Sequence, residues 1–350
     1  MKTISTDIKD IIKKAENEHQ LSRGEIARLL RAEGHDRDYL YRAADHLRAK
    51  HLGDEVHLRG IIEFSSYCQR NCKYCGLRKD NDNLTRYRLA PEEIIEVAEK
   101  AAGLGYGTIV LQSGEDDFSA DMLVRVIRKI KTETEAAVTL CVGERSYDEY
   151  RLWREAGADR YLLKHELSDP EHYDRLHPGM TLSERLERLE WLRELGYQIG
   201  SGNIIGLPEQ SVEDIARDIL MFKELDLHMV GIGPFISHPD TPLGGAEDGS
   251  VELSVKVVAV TRLLMPLTHL PATTALGTLD PEGRQKALKA GANVVMPNVT
   301  PSAYRADYEI YPDKICIEEK AENCRECIGG IITSLGRTVA EGCGHSPKMS

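Results

Sequence analysis

Residues 57–75 read HLRGIIEFSSYCQRNCKYC. The run from His57 to Phe64 has the apolar, β-branched character of a buried strand. Three cysteines follow it at once, Cys68, Cys72 and Cys75, in the spacing C-x3-C-x2-C. In parallel α/β barrels the loops after the strands carry the chemistry. Thiolates are the usual ligands of iron–sulfur clusters, commonly four to a cluster. Three in one tight loop predict a [4Fe–4S] cluster with one iron left without a protein ligand, which is a place for a small molecule to bind. Zinc requires a fourth ligand, and the loop holds no histidine or further cysteine.

Outward from this stretch the chain alternates short apolar runs with longer amphipathic ones. Strands are expected at 57–64, 107–112, 136–142, 160–165, 197–204, 229–235, 270–275 and 292–297. Between them lie seven helical segments, among them PEEIIEVAEKAAGLG, ADMLVRVIRKIKTE and SVEDIARDILMFKELD, many ending at a glycine that suits a helix C-terminus. Eight strands separated by seven helices predict an α/β fold, a (β/α)8 TIM-type barrel. A doubly wound open sheet shares this pattern, and periodicity does not separate the two. Ser22 and Glu25 form a capping box before IARLL, and a second helix is expected from Asp36 to Lys50. The expected organisation is an N-terminal helical extension over 1–52, the barrel over 53–300 and a C-terminal extension over 301–350.

Composition narrows the function classes. The chain has 350 residues, 41% of them hydrophobic and 29% charged, as in a globular protein with a sizeable core. A net charge of −12 speaks against nucleic acid, which selects a basic stripe. No apolar run approaches the ~20 residues that span a bilayer. The opening MKTISTDIKDIIKKAENEH is charged throughout and lacks the apolar core of a signal peptide, so a cytoplasmic location is expected. There disulfides are disfavoured and clustered cysteines more often bind metal.

Several segments extend the cysteine loop into a constellation. Tyr74 precedes the last cysteine of the loop. Strand 107–112 runs into Gln112-Ser113-Gly114-Glu115-Asp116, where small residues allow close backbone approach and a carboxylate can meet an ammonium group. Strand 160–165 ends in Lys164-His165-Glu166. Strand 197–204 continues through Gly202, Ile204 and Gly206 to Pro208.

The pattern C-x3-C-x-aromatic-C after the first strand, with QSGED and G-x-I-x-G-x-P in that order, resembles the radical S-adenosylmethionine superfamily. The resemblance implies that the open iron chelates the amino and carboxylate groups of S-adenosylmethionine. It implies that the reduced cluster then splits the sulfonium to methionine and a 5′-deoxyadenosyl radical. The implied cofactor contacts are Tyr74, Ser113, Gly114, Glu115, Thr139, Lys164, Glu166, Arg185, Ile204 and Gly206. Glu166 is expected on the ribose and Arg185 on the methionyl carboxylate.

At finer grain the segments RGIIEFSSYCQRNCKYCGLRKDN, IVLQSGED, AGADRYLLKHE, MVGIGPFISHPDTPL, PATTALGT and GANVVMPN resemble the branch that matures [FeFe]-hydrogenase. The likeness spans residues 20–335. It implies assembly of the H-cluster with other hydrogenase maturases, action on a cysteine-bound iron carbonyl cyanide precursor, and a low-potential electron donor such as ferredoxin or flavodoxin. The candidate substrate contacts are Arg59, Gln112, Thr273, Thr274, Met296 and Tyr308. Of these, Arg59, Thr273, Thr274 and Tyr308 are implied to bind a carboxylate. On pattern alone Arg59 reads equally as a solvated strand start. A biotin-synthase-like or methylornithine-synthase-like enzyme on the same barrel, or a non-catalytic iron–sulfur scaffold, are the alternatives.

A second group, Cys316, Cys324 and Cys327, follows the last strand as C-x7-C-x2-C. It predicts an auxiliary [2Fe–2S] or [4Fe–4S] cluster with one non-protein ligand, with zinc or free thiols as the alternative. Cys343 or His345 is a candidate fourth ligand. The resemblance implies that this group is dispensable for the radical chemistry. Cys141, inside the third strand, reads as a small buried apolar residue.

Overall fold

The computed structural model describes residues 4–349. Three helices, Thr6–Glu18, Arg23–Leu30 and Gly34–Leu52, precede the first strand. Ser22 accepts from the Glu25 amide while Glu25 reaches back to the Ser22 amide, the reciprocal cap that the sequence predicts.

The strands are β1 (Glu55–Ser65), β2 (Thr108–Ser113), β3 (Ala137–Cys141), β4 (Arg160–Leu162), β5 (Gln198–Ile205), β6 (Met229–Pro234), β7 (Val294–Val295) and β8 (Thr338–Val339). All pairings are parallel, in the order β6-β5-β4-β3-β2-β1-β7, with β8 on β1. Helices including Pro91–Gly103, Ala120–Glu133, Leu182–Glu194, Val212–Glu224 and Val251–Leu264 flank the sheet. Parallel strands covered in this way are buried on both faces, which explains their near-continuous apolar sequence. The topology is TIM-type but partial, because the ladder thins on one side. Between β6 and β7 only isolated bridges close the ring, Met229 to His269 and Pro271 to Val294.

The expected strand 270–275 is therefore reduced to these contacts. Pro271 has no N–H to give a ladder, and the chain enters the helix Thr274–Leu279 at once. The expected strand 160–165 stops at Leu162, and Glu166 turns out of the sheet with a positive φ of 62°.

β8 was not legible in the sequence. It follows the helix Ala321–Ser334 and pairs with the start of β1, Glu55 opposite Thr338. The chain then folds under the N-terminal ends of the strands. Thr108 Oγ1 and Arg160 Nη2 donate to the Cys343 carbonyl at 2.8 and 2.7 Å. Gln198 Nε2 donates to His345 Nδ1 at 2.7 Å, so that nitrogen carries no proton. The tail thus plugs the barrel floor. Cys343 and His345 are engaged there, the Cys343 thiol with the Glu135 carbonyl, rather than turned toward the second cysteine group. Among the described residues no helix is long and apolar enough to cross a membrane.

Candidate active site at the barrel mouth

The cysteine loop leaves β1 at its C-terminal end and is tied down on several sides. The Gln69 amide donates to the Glu115 carbonyl, the Gly114 amide to Ser65, the Lys73 amide to Leu176 and the Gly76 amide to Ile310, all within 2.9–3.1 Å. Gly76 and Gly114 leave no room for a side chain. A Cβ on Gly114 would meet the Tyr67 carbonyl at 2.3 Å, and one on Gly76 the Glu309 carbonyl at 2.1 Å. These two glycines let the backbone of the loop lie directly on its supports.

Cys68, Cys72 and Cys75 are all free and half-buried. Burial pushes each thiol up, Cys75 to about 12, and the neighbouring sulfurs add to the shift at Cys72 and Cys75. Such thiols are poor nucleophiles. A bound cation, which deprotonates a coordinating thiol outright, resolves the mutual repulsion. Among the described residues no three His, Cys, Asp or Glu side chains close on one point as a single metal ion requires. Three thiols offered by one loop are the soft sulfur donors that iron–sulfur clusters take. The donor set therefore fits an iron–sulfur cluster.

Beside the loop lies a buried network of charges. Arg185, on the helix Leu182–Glu194, places Nε 2.8 Å from Glu144 and Nη2 3.6 Å from Glu115. Arg70 pairs with Glu115 and stands 3.5 Å from Glu144. Burial alone would depress Arg185, but Tyr173, Glu144 and Glu115 raise it, so it stays charged. Glu144 is pushed up by burial and drawn back by Arg185. Two carboxylates and two guanidiniums at a barrel mouth can sort the ammonium and carboxylate of one zwitterion.

Tyr74 belongs to a relay into this network. His177 Nδ1 lies 2.7 Å from the Tyr173 carbonyl, so it carries the proton, and Nε2 accepts from the Tyr74 hydroxyl at 2.7 Å. Tyr173 stacks on His177 with centroids 4.0 Å apart, and its hydroxyl accepts from Arg185 Nε at 3.2 Å. Burial holds His177 down to about 3, so the ring is neutral.

The ends of β4 and β5 complete the mouth. Lys164 pairs with Glu166 at 2.8 Å. The Glu166 amide donates to Gly202, and the Ile204 amide donates back to Glu166. Gln210 braces the following turn, accepting from the Gly206 amide and donating to the Ile204 carbonyl. The structure thus brings Cys68, Cys72, Cys75, Tyr74, Glu115 and Arg185 to one rim, with Ser113 and Gly114 beneath and Lys164, Glu166, Ile204 and Gly206 alongside.

Deeper residues divide into two groups. Gln112 bonds to Tyr308 and is paired in register with Cys141. Cys141 is half-buried and within electrostatic reach of Lys164 and Glu166, so it faces the lumen rather than the apolar core. Thr273 donates to the Ile232 carbonyl, Thr274 accepts from Arg284, and Met296 is half-buried. Arg59 and Thr139 lie at the opposite end, together around a small gap beside the tail. Arg59 is fully buried, donating to Met229 Sδ at 2.9 Å and to the Gly344 carbonyl, so it is not a solvated strand start. In the second group, Cys316 and Cys324 are hydrogen-bonded to each other, whereas Cys327 is exposed.

Sequence reasoning missed Arg70, Glu144 and the Tyr173–His177 pair. Glu144 had a usable signal, since it follows β3 at the end where barrel loops carry chemistry. Arg70 lies inside the cysteine loop itself.

A family model described as the radical SAM superfamily matches residues 62–222. The chain is 51% identical to the [FeFe] hydrogenase maturase subunit HydE of Thermotoga maritima, over 85% of this chain and 86% of that one. It is 30% identical to the 3-methylornithine synthase of Methanosarcina acetivorans, over 79% of each. Among solved structures, methylornithine synthase (PylB) superposes with a TM-score of 0.83 at 26% identity, covering 95% of this chain and 97% of that one.

Proposed function

From the premise that the chain belongs to the radical S-adenosylmethionine superfamily, as a relative of its HydE-type hydrogenase maturases, we propose that it cleaves S-adenosylmethionine reductively at the barrel mouth to serve H-cluster assembly. The observation that carries this reading is the meeting of the three-cysteine loop with the Glu115–Arg185 network on one rim. When bound, the reduced cluster supplies the electron that splits S-adenosylmethionine into methionine and a 5′-deoxyadenosyl radical.

This chain's own residues bind and orient. Cys68, Cys72 and Cys75 hold the cluster. Glu115 receives the methionyl ammonium, and Arg185 receives its carboxylate in place of the contact with Glu144. Tyr74, fixed through His177, walls the cluster from solvent. Glu166 takes the ribose hydroxyls. Ser113 and Gly114 keep the backbone close, and Ile204 and Gly206 flank the adenine. Gln112, Thr273, Thr274, Met296 and Tyr308 face the lumen where a small cysteine-bound iron carbonyl cyanide substrate is attacked. Arg59 and Thr139, read from the resemblance as a substrate and a cofactor contact, line a small gap at the barrel floor instead, apart from that point.

The higher identity to HydE than to 3-methylornithine synthase, over similar coverage, favours maturation. A sulfur inserter needs sacrificial-cluster cysteines on the barrel strands, and Cys141 stands alone there. Cys316, Cys324 and Cys327 hold an auxiliary cluster that the radical step does not need. Other maturases and a low-potential ferredoxin or flavodoxin are the partners, in the cytoplasm.

Anaerobic reconstitution with dithionite tests the chemistry. The wild type yields 5′-deoxyadenosine, Cys72→Ser yields none, and Cys324→Ser largely retains the yield. Absence of product from the wild type would refute the enzyme reading, and equal loss in both variants the ranking of the two cysteine groups. A strain lacking the chain accumulates apo-hydrogenase without activity; normal hydrogenase activity there would refute the maturation role.

A further inference from the structure

Asp218 is wholly buried on the helix Val212–Glu224, outside the charge network of the mouth. Its carboxylate meets neutral donors. Oδ1 accepts from the Ser168 amide at 2.8 Å and the Ser168 hydroxyl at 2.6 Å, and Oδ2 accepts from Asn203 Nδ2 at 3.0 Å. Asn203 is also wholly buried, and its Oδ1 has no hydrogen-bond partner. A buried carboxylate held only by neutral groups is an expensive way to fill space that an apolar side chain would fill at no cost in desolvation.

What it holds is the neighbourhood of Glu166. Ser168 lies two residues beyond Glu166, and Asn203, on β5, is the residue that an isolated bridge joins to Glu166. Glu166 has a φ of 62°, the left-handed region that a residue with a Cβ occupies only when its surroundings impose it. One carboxylate therefore grips both chain segments that enclose the strained residue.

We propose that Asp218 is a positioning residue that clamps the Glu166–Ser168 turn onto β5 and so presents the Glu166 carboxylate at the barrel mouth. The inference rests on the proposed contact of Glu166 with S-adenosylmethionine. Without the clamp the turn relaxes out of the left-handed conformation, and Glu166 leaves the rim.

The test uses full-length reconstituted protein and the calorimetric affinity for S-adenosylmethionine, with iron content and melting temperature measured alongside. Asp218→Asn removes the charge that strengthens the bonds from Ser168 and Asn203 and replaces one accepting oxygen with an amide N–H2, so affinity falls roughly tenfold, as when a buried charge-assisted hydrogen bond is lost. Iron content stays at the wild-type level, because none of the clamp's hydrogen bonds is made to the cysteine loop. The exchange Asn203→Asp with Asp218→Asn returns one carboxylate to the pair, so the bond across it is charge-assisted again and most of the affinity is recovered. In a Glu166→Ala background Asp218→Asn adds no further loss, since both act through one contact.

Wild-type affinity in Asp218→Asn, or full additivity with Glu166→Ala, would overturn the proposal. Should Asp218→Asn fail to fold, the exchange variant and Ser168→Ala, which removes one donor and no charge, carry the same comparison. Wild-type protein that makes 5′-deoxyadenosine while Asp218→Asn binds normally refutes the clamp and leaves the enzyme reading intact. Wild-type protein that makes none refutes that reading first.

Discussion

Lys314 offers the clearest test of how the chain after the barrel is fixed to the site. Its Nζ lies 2.9 Å from each Glu63 oxygen and donates to the Tyr308 carbonyl at 2.9 Å. Asn298 supplies one further bond to Glu63 at 2.6 Å. Both charged side chains are almost inaccessible, at 7% and 6%. Burial pushes Glu63 up, and Lys314 is the first of the groups that bring it back. Lys314→Met strands a buried carboxylate with a single amide partner, at a cost of about 3–5 kcal/mol. Lys314→Met with Glu63→Gln removes both charges and should recover most of that loss, because replacing a buried pair outright is often close to neutral. Urea unfolding of the apo protein, followed by fluorescence of the buried Trp153, measures both. The single variant carries a further signature. A protonated Glu63 needs no cation, so its deficit shrinks as the pH is lowered from 7 toward 5. A single variant within 1 kcal/mol of wild type, or a double variant as unstable as the single, would refute the reasoning.

Two further outcomes follow from named contacts. His165 and His177 are both held down to about 3 by burial and are neutral in the fold. Their folded values lie below the unfolded one near 6.5, so the stability they confer is present above that pH and is lost on acidification. Each contributes a slope of about 1.4 kcal/mol per pH unit between roughly 6.5 and 3. Asp218, pushed up to about 6, acts in the opposite sense as the pH falls through 6 toward 4, but it is common to wild type and His165→Gln, so the difference between the two slopes isolates the histidine. Thermal melts of His165→Gln show a shallower pH slope, and an unchanged slope counts against the assignment. Gly114→Ala drives a methyl group into the Tyr67 carbonyl and to 2.8 Å from the Cys68 Cβ. It costs about 1–3 kcal/mol of stability and lowers iron retention, and wild-type iron content would show that the loop does not depend on this contact.

The sequence by itself determined the alternation of parallel strands and helices and the cysteine loop that follows the first strand, while the closure of the sheet into a partial barrel was decided by the fold. A strand that must be buried on both faces is apolar throughout, and helices capped by Ser22 or ended by glycine announce themselves locally, so period and punctuation suffice. Cys68, Cys72 and Cys75 were legible for the same reason, since ligands spaced within one loop are neighbours before any folding. Tertiary structure alone decided what depends on distant segments meeting. Glu144 pairs with Arg185 across two barrel loops. Thr338 pairs with Glu55 and the tail closes the floor over Arg59. Asp218 reaches from a helix both the turn that follows β4 and a residue of β5. None of these leaves a local trace, because a buried polar residue and an exposed one look the same in sequence until the fold supplies the partner. The weak seventh strand shows the limit from the other side. Its β-branched threonines read as strand, yet the proline before them and the helix they start removed the ladder that local preference predicts.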